Sequence, residues 1–175
     1  NHAEYGCQSN HLSIPELFDQ YTKLGFIYPK KRQFIAPFYD RIVSNWEVAM
    51  QHGLLQVLTY GDVGQANWAS VSEWMQTENG WNSQHLVGTS PIASRAVMLC
   101  RQMEAIHNSL HYSYQNFFQQ KNKFSKRVFG SIDQSFSNQQ YYLKEYAYFY
   151  LQKSTKSSVI VDCSIDILPA DKNNV

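Results

Sequence analysis

Residues able to do chemistry fall in two groups. The first is the run Gln84-His85-Leu86-Val87-Gly88-Thr89-Ser90-Pro91-Ile92-Ala93-Ser94-Arg95, where an apolar strand pattern gives way to a helical one. A helix N-terminus leaving a sheet presents free N–H groups and the positive end of the helix dipole, which together suit an anion such as a phosphate. Gly88 permits close backbone approach, Thr89, Ser90 and Ser94 add hydroxyl donors, and Arg95 adds a charged donor. The plainer reading of this run is a good N-cap followed by proline at the first helical position. The second group comprises Glu73, His85, Tyr142, Tyr146 and Tyr148, all on expected strands. A carboxylate or imidazole can take a proton and a phenol can return one. Their plainer readings are a solvated glutamate, a hydrogen-bonded sheet histidine, and tyrosines that pack with their hydroxyls at the surface.

Other constellations are incomplete. His107 and His111 have i,i+4 spacing, but a zincin needs glutamate directly after the first histidine, and Asn108 stands there. No third ligand is evident, so no metal is expected. Tyr112 to Arg127 interleaves aromatic and basic residues in the manner of single-strand nucleic-acid binders. Fifteen basic against fourteen acidic residues leave a formal charge of only +1, and no RNP-type signature occurs, so nucleic acid is not an expected partner. GxSxG, P-loop and Rossmann fingerprints are missing. Cys7, Cys100 and Cys163 are odd in number and widely spaced, which favours a reduced, cytoplasmic setting with Cys100 packed inside a helix. No apolar run approaches the roughly 18 residues of a membrane span. A start at Asn1 without a signal-peptide pattern reads as an excised or trimmed domain.

The elements that must position these residues follow from periodicity. The chain has 175 residues, 43% apolar and 17% charged, enough for one ordinary domain and too apolar for a disordered chain. Residues 1–11 read as a flexible lead-in, 12–168 as a single domain, and 169–175 as a tail or linker. Ser13 caps a first helix in which Ile14, Leu17, Phe18, Tyr21 and Leu24 recur at helical spacing, and Gly25 ends it. Tyr28 to Arg32 reads as a basic connection, and roughly 33–52 as a second helix. Strands are expected at 54–60, 68–76 and 81–88, with Asn79-Gly80 as the hairpin turn. A helix over 91–107 carries Ile92, Ala96, Leu99, Met103 and Ile106 on one face and is expected to pack on the sheet. Residues 112–129 are ambiguous, and strands are expected again at 141–152 and 159–168. The outcome is an α+β fold with a mainly antiparallel sheet flanked by helices.

This layout of two N-terminal helices, a meander and a strand feeding a helix resembles that of the GNAT acyltransferase superfamily. Ile14-Pro15-Glu16-Leu17, Trp81-Asn82-Ser83-Gln84-His85-Leu86-Val87 and Asn122-Lys123-Phe124-Ser125-Lys126-Arg127-Val128-Phe129-Gly130 look like segments of divergent GNAT-like domains. The resemblance spans roughly 12–168. It implies an N-acyltransferase taking acyl-CoA, acetyl-CoA or a carrier thioester as small-molecule acyl donor and an amine as acceptor, without a metal. An adjacent domain is a possible partner. The donor pyrophosphate would sit on Gly88, Thr89, Ser90, Ser94 and Arg95, with Glu73 or His85 as base and Tyr146 as acid. The family's Q/R-x-x-G-x-G/A loop is not matched: Ser90-Pro91 stands where glycine is usual, and Pro91 removes a donor amide. That departure opens an alternative, a non-catalytic domain of the same fold that senses a ligand or contacts a partner within a larger protein.

Overall fold

A reciprocal capping box starts the first helix. Ser13 Oγ accepts from the Glu16 amide at 3.3 Å, while Glu16 Oε2 accepts from the Ser13 amide at 3.0 Å and from its hydroxyl at 2.7 Å. Helix α1 (Ile14–Lys23) then buries Ile14, Leu17, Phe18 and Tyr21, the stripe its spacing predicts. The chain leaves at Gly25, whose φ of 76° suits a residue without Cβ. The next helix departs from expectation. Pro29 opens α2 (Pro29–Ile35) where a connection is predicted, a 3-10 turn follows at Ala36–Phe38, and α3 runs Tyr39–Gln51. Pro37 explains the break, since a proline inside a continuous helix removes a hydrogen bond and clashes with the preceding turn. This computed structural model describes residues 6–108, 111–119 and 121–130. Chain contacts define two units, Asn1–Leu143 and Lys144–Val175, and every described residue belongs to the first.

Strands β2 (Leu55–Tyr60), β3 (Ala69–Thr77) and β4 (Gly80–Gly88) form the expected antiparallel meander. Helix α4 (Pro91–Asn108) crosses over and delivers β5 (Ser113–Asn116) parallel to β4. Asn122 then caps α5 (Lys123–Gly130), its Oδ1 accepting from the Phe124 and Ser125 amides at 3.1 and 3.2 Å. Alternation along the strands divides the sheet into two faces. Leu55, Val57, Trp68 and Val87 pack with Ile14, Leu17 and Phe18, under α1 and α3. Leu58, Ala69 and Val71 pack with Ala93, Val97 and Met98 of α4.

Two local expectations are corrected. The hairpin turns at Glu78-Asn79 rather than Asn79-Gly80, and Gly80 is already in β4. Glycine lets Thr77 Oγ1 close on the turn, since a Cβ there would lie 2.5 Å from it. On α4, the Ile92, Leu99 and Ile106 row faces outward, at 66, 53 and 44% exposure. The sheet is met instead by Ala93, Val97, Met98, Cys100 and Arg101. Small Ala93 and Val97 let the helix approach the strands, and Arg101 finds a partner on β3.

The expected flexible lead-in holds a strand. β1 (Cys7–Ser9) pairs antiparallel with β2, Cys7 opposite Tyr60 and Ser9 opposite Leu58, giving the order β1-β2-β3-β4-β5. Asn10 then turns the chain at φ 53°, its side chain accepting from the Val57 amide at 2.7 Å. Cys7 is disulfide-bonded to Cys100 on α4, 93 residues away, with Cα atoms 6.8 Å apart. Cys100 is therefore not the lone packed thiol expected, and such bonds belong to oxidising surroundings. The expected strands at 141–152 and 159–168, Tyr142, Tyr146, Tyr148, Cys163 and the 169–175 tail lie outside the described residues.

Cys7 and Cys100 are 1 and 2% exposed. In protein purified without reductant and carrying Cys163→Ser, neither should react with a maleimide until the chain is both unfolded and reduced. Replacing the pair by alanine should cost about 2–4 kcal/mol in urea denaturation, as expected for a long closed loop.

Candidate functional site

A bulge in β4 sets the direction of its central residues. Ser70 pairs with Val87 and Ser72 with Gln84, so β4 spends one residue more than β3 over this stretch. His85 takes up the excess at φ 54°, a left-handed conformation unfavourable for a residue with a side chain. Without the bulge, His85 would lie two residues beyond Ser83 and share its face. With it, the imidazole turns to the α1 and α3 side, with ring centroids 5.3 Å from Phe26, 5.3 Å from Trp46 and 6.1 Å from Tyr21.

Ser72 fixes the imidazole from below. Its hydroxyl donates to the Gln84 carbonyl at 3.1 Å, and His85 Nδ1 lies 3.2 Å from the same oxygen. A hydroxyl has one proton to give, so in this arrangement Nδ1 donates to Ser72 and Nε2 keeps the lone pair. Burial, then the charge of Lys31, push the His85 pKa down to about 4. Lys31 Nζ itself sits 3.9 Å over the Phe26 ring. The imidazole is thus neutral at physiological pH. Tyr21 is buried beside Ser70 and Ser72, and burial pushes its phenol up to about 12. Ser72, Tyr21, Phe26, Trp46 and Lys31 were not foreseen around His85. Helical spacing marks Tyr21 as core, and the expected helix over 33–52 contains Trp46.

Glu73 lies on the opposite face, as the residue after Ser72 must. It is 1% exposed, and its Oε1 accepts from Ser83 Oγ at 2.7 Å and from Arg101 Nε at 3.1 Å. Arg101 Nε also donates to Ser83 Oγ at 2.7 Å, and the Tyr114 ring stacks under the guanidinium at 4.4 Å. Burial raises the Glu73 pKa, with Arg101 opposing that rise. Glu73 and His85, the two bases expected from the sequence, are separated by the sheet. Ser83 pairs with Asn116 in the last rung between β4 and β5. β5 ends at that rung, and β4 runs on from Gln84 to Gly88 with no strand beside this edge among the described residues, next to the bulge.

At the strand-to-helix junction most expected phosphate donors are engaged within the chain. Thr89 Oγ1 accepts from the Trp68 amide and donates to the Ala66 carbonyl, both at 2.8 Å. Ser90 Oγ donates to Asn67 Oδ1 at 2.7 Å and caps α4 by accepting from the Ala93 amide at 3.1 Å. Ser94 Oγ donates back to the Ser90 carbonyl at 3.0 Å. Gly88 lets Ser94 close on the strand, since a Cβ there would meet Ser94 Oγ at 2.5 Å. Among the described residues, the Ile92 amide and the exposed Arg95 side chain remain for a ligand. Tyr146 lies outside the described residues. His111 falls past the end of α4 and so is not aligned with His107 on one helical face. Among the described residues no group of three or more His, Cys, Asp or Glu could hold a metal, and no helix is long and apolar enough to cross a membrane.

No family model and no curated protein matches this chain. Among solved structures, the crystal structure of a probable acetyltransferase superposes with a TM-score of 0.55 at 10% identity, covering 85% of this chain and 97% of that one. The chain shares the fold of that protein. The resemblance noted in the element order is thereby supported at the level of an acetyltransferase-like α+β fold, with a mixed sheet of five strands among the described residues flanked by helices.

Two measurements check the site. The unfolded chain binds a proton at His85 near pH 6.5 that the folded chain refuses until about pH 4. The stabilising share of this group is full above pH 6.5 and disappears as pH falls through that interval. His85→Gln should flatten the stability profile there, and the His85 ring signals in NMR should titrate near pH 4. On the other face, Arg101→Leu strands a buried carboxylate and should cost about 3–5 kcal/mol, while Glu73→Met with Arg101→Leu should recover most of it.

Proposed function

We propose that this chain is a GNAT-like N-acyltransferase that moves an acyl group from a pantetheine thioester to an amine. The observation that carries the reading is the stretch of β4 that runs on past the end of parallel β5 beside a neutral, bulge-held imidazole, on a fold shared with a probable acetyltransferase. An unpaired strand edge is a template for an extended ligand bearing amides. The Gln84–Gly88 edge would hold the pantetheine arm, and the Ile92 amide with Arg95 would hold a phosphate at its end. The acceptor nitrogen attacks the thioester carbonyl and the C–S bond breaks. His85 Nε2 takes the proton from nitrogen, directly or through water, and the departing thiolate is protonated from solvent. Glu73 is left out of the chemistry, because it is bound to Arg101 on the other face. No metal is needed for these steps. A thioester donor favours a cytoplasmic setting, where disulfides are rare, and there the burial of Cys7 and Cys100 would shield their bond from small thiols.

The test is turnover of an acyl-CoA series with primary-amine acceptors, followed by thiol release. His85→Ala should lower kcat about a hundredfold or more, in the range for loss of a general base. Arg95→Ala should raise the KM for the donor with kcat little changed, by about 1.5–3 kcal/mol of lost charge-assisted hydrogen bonding. Absence of both turnover and thioester binding would instead assign the chain to the non-catalytic, partner-binding class.

A further inference from the structure

We infer that the surface formed by α2 and the turn after it, residues 28–41, docks an acidic carrier protein, so that the thioester arrives on a carrier-borne phosphopantetheine arm. The inference rests on the acyl-transfer reading above and names the donor within it.

The surface is unusual in composition and exposure. No residue from 28 to 41 is buried. Phe34 is 77% exposed, and Tyr28 and Phe38 are about half exposed, at 53 and 49%. Large exposed aromatics gathered on one segment mark an interaction surface rather than ordinary surface. The same segment carries Lys30, Lys31, Arg32 and Arg41 against the single carboxylate of Asp40. None of the four cations has an acidic partner among the described residues; the ion pairs there join Lys23 to Asp19 and Arg101 to Glu73. Aromatic anchors within a cationic field fit an acidic protein surface, and the charge would steer the encounter. A hollow of about 550 Å³ opens in this face between Ile27, Tyr28 and Arg32, with room to seat a partner side chain.

Position and the phosphate site together select the carrier. The surface is continuous with the candidate base: Lys31 lies over Phe26, and Phe26 lies edge-on to His85. A partner on α2 is therefore linked to the candidate base through Lys31 and Phe26. At the strand-to-helix junction, Thr89, Ser90 and Ser94 spend their hydroxyls inside the chain, and Pro91 has no N–H. One amide and Arg95 suit the single phosphodiester of a carrier arm better than the diphosphate and further phosphate of CoA.

The test uses an acidic acyl carrier protein with its phosphopantetheine arm, unacylated for binding and acylated for turnover, alongside acyl-CoA and anionic phosphatidylglycerol vesicles. By calorimetry at low salt, the unacylated carrier should bind the intact chain, and the affinity should fall as salt is raised. Lys30→Glu with Arg32→Glu and Arg41→Glu should lower that affinity tenfold or more, and Phe34→Ala should lower it severalfold. All four side chains are solvent-exposed, so the melting temperature should hold. The same charge reversal should cut kcat/KM for the acylated carrier while leaving turnover of a short acyl-pantetheine unchanged. Lack of carrier binding, binding indifferent to charge reversal, or binding to vesicles with the carrier ignored would each overturn the proposal. Carrier binding sensitive to charge reversal, without turnover of any thioester, would support the docking surface and overturn only the acyl-transfer reading.

Discussion

The buried pair of Glu73 and Arg101 organises the side of the sheet on which α4 packs. One carboxylate oxygen receives Ser83 of β4 and Arg101 of α4, and the guanidinium rests on Tyr114 of β5. Three strands and a helix therefore meet at two charges. Burying them yields little net stability, because desolvation offsets their attraction. Their value is in specificity, since any other register of α4 would leave one charge in the core without its counterpart. That register also fixes where α4 begins, and so where Ser90, Pro91 and Arg95 stand relative to the end of β4.

Seen from this pair, the sheet has two sides with different duties. The α4 side is structural: the ion pair, the small-residue contact of Ala93 and Val97, and the Cys7 bond hold one helix to the strands. The α1 and α3 side gathers aromatic rings around a neutral imidazole and passes outward through Phe26 and Lys31 to the exposed surface of α2. A single inserted residue in β4 moves His85 from the first side to the second. The left-handed strain at His85 persists because Ser72, Tyr21, Phe26 and Trp46 all depend on the ring being there.

Features legible in the sequence were those decided by near neighbours. Ser13, Glu16 and Gly25 bound α1 whatever else the chain does, and the strands β2, β3 and β4 show in their β-branched and aromatic runs. The illegible features depend on distant partners. Ile92, Leu99 and Ile106 outrank Ala93, Val97 and Arg101 in hydrophobicity, yet the latter face inward because Glu73 awaits Arg101 across 28 positions of sequence. Cys7 looks like part of a polar lead-in until Cys100 is placed beside it. The candidate site suffered most from parity. Counting along β4 puts His85 with Glu73, and only the bulge, which no residue type announces, separates them. The hydroxyls of Thr89, Ser90 and Ser94 likewise looked available because Ala66 and Asn67, which engage two of them, lie over twenty residues earlier.

The Cys7–Cys100 bond has a topological consequence. It closes a covalent ring spanning 93 positions, and Tyr21, Phe26, Lys31, Trp46, Ser72 and His85 are all links in that ring. β4 thus lies inside the ring and β5 on the open chain beyond it. A single backbone cut in the loops between Cys7 and Cys100 would leave both fragments tethered, whereas a cut between Cys100 and Ser113 would leave β5 without a covalent tie to the ring. The described residues are therefore mechanically asymmetric: the imidazole is secured within a closed loop, and β5 is secured to it by strand pairing and packing.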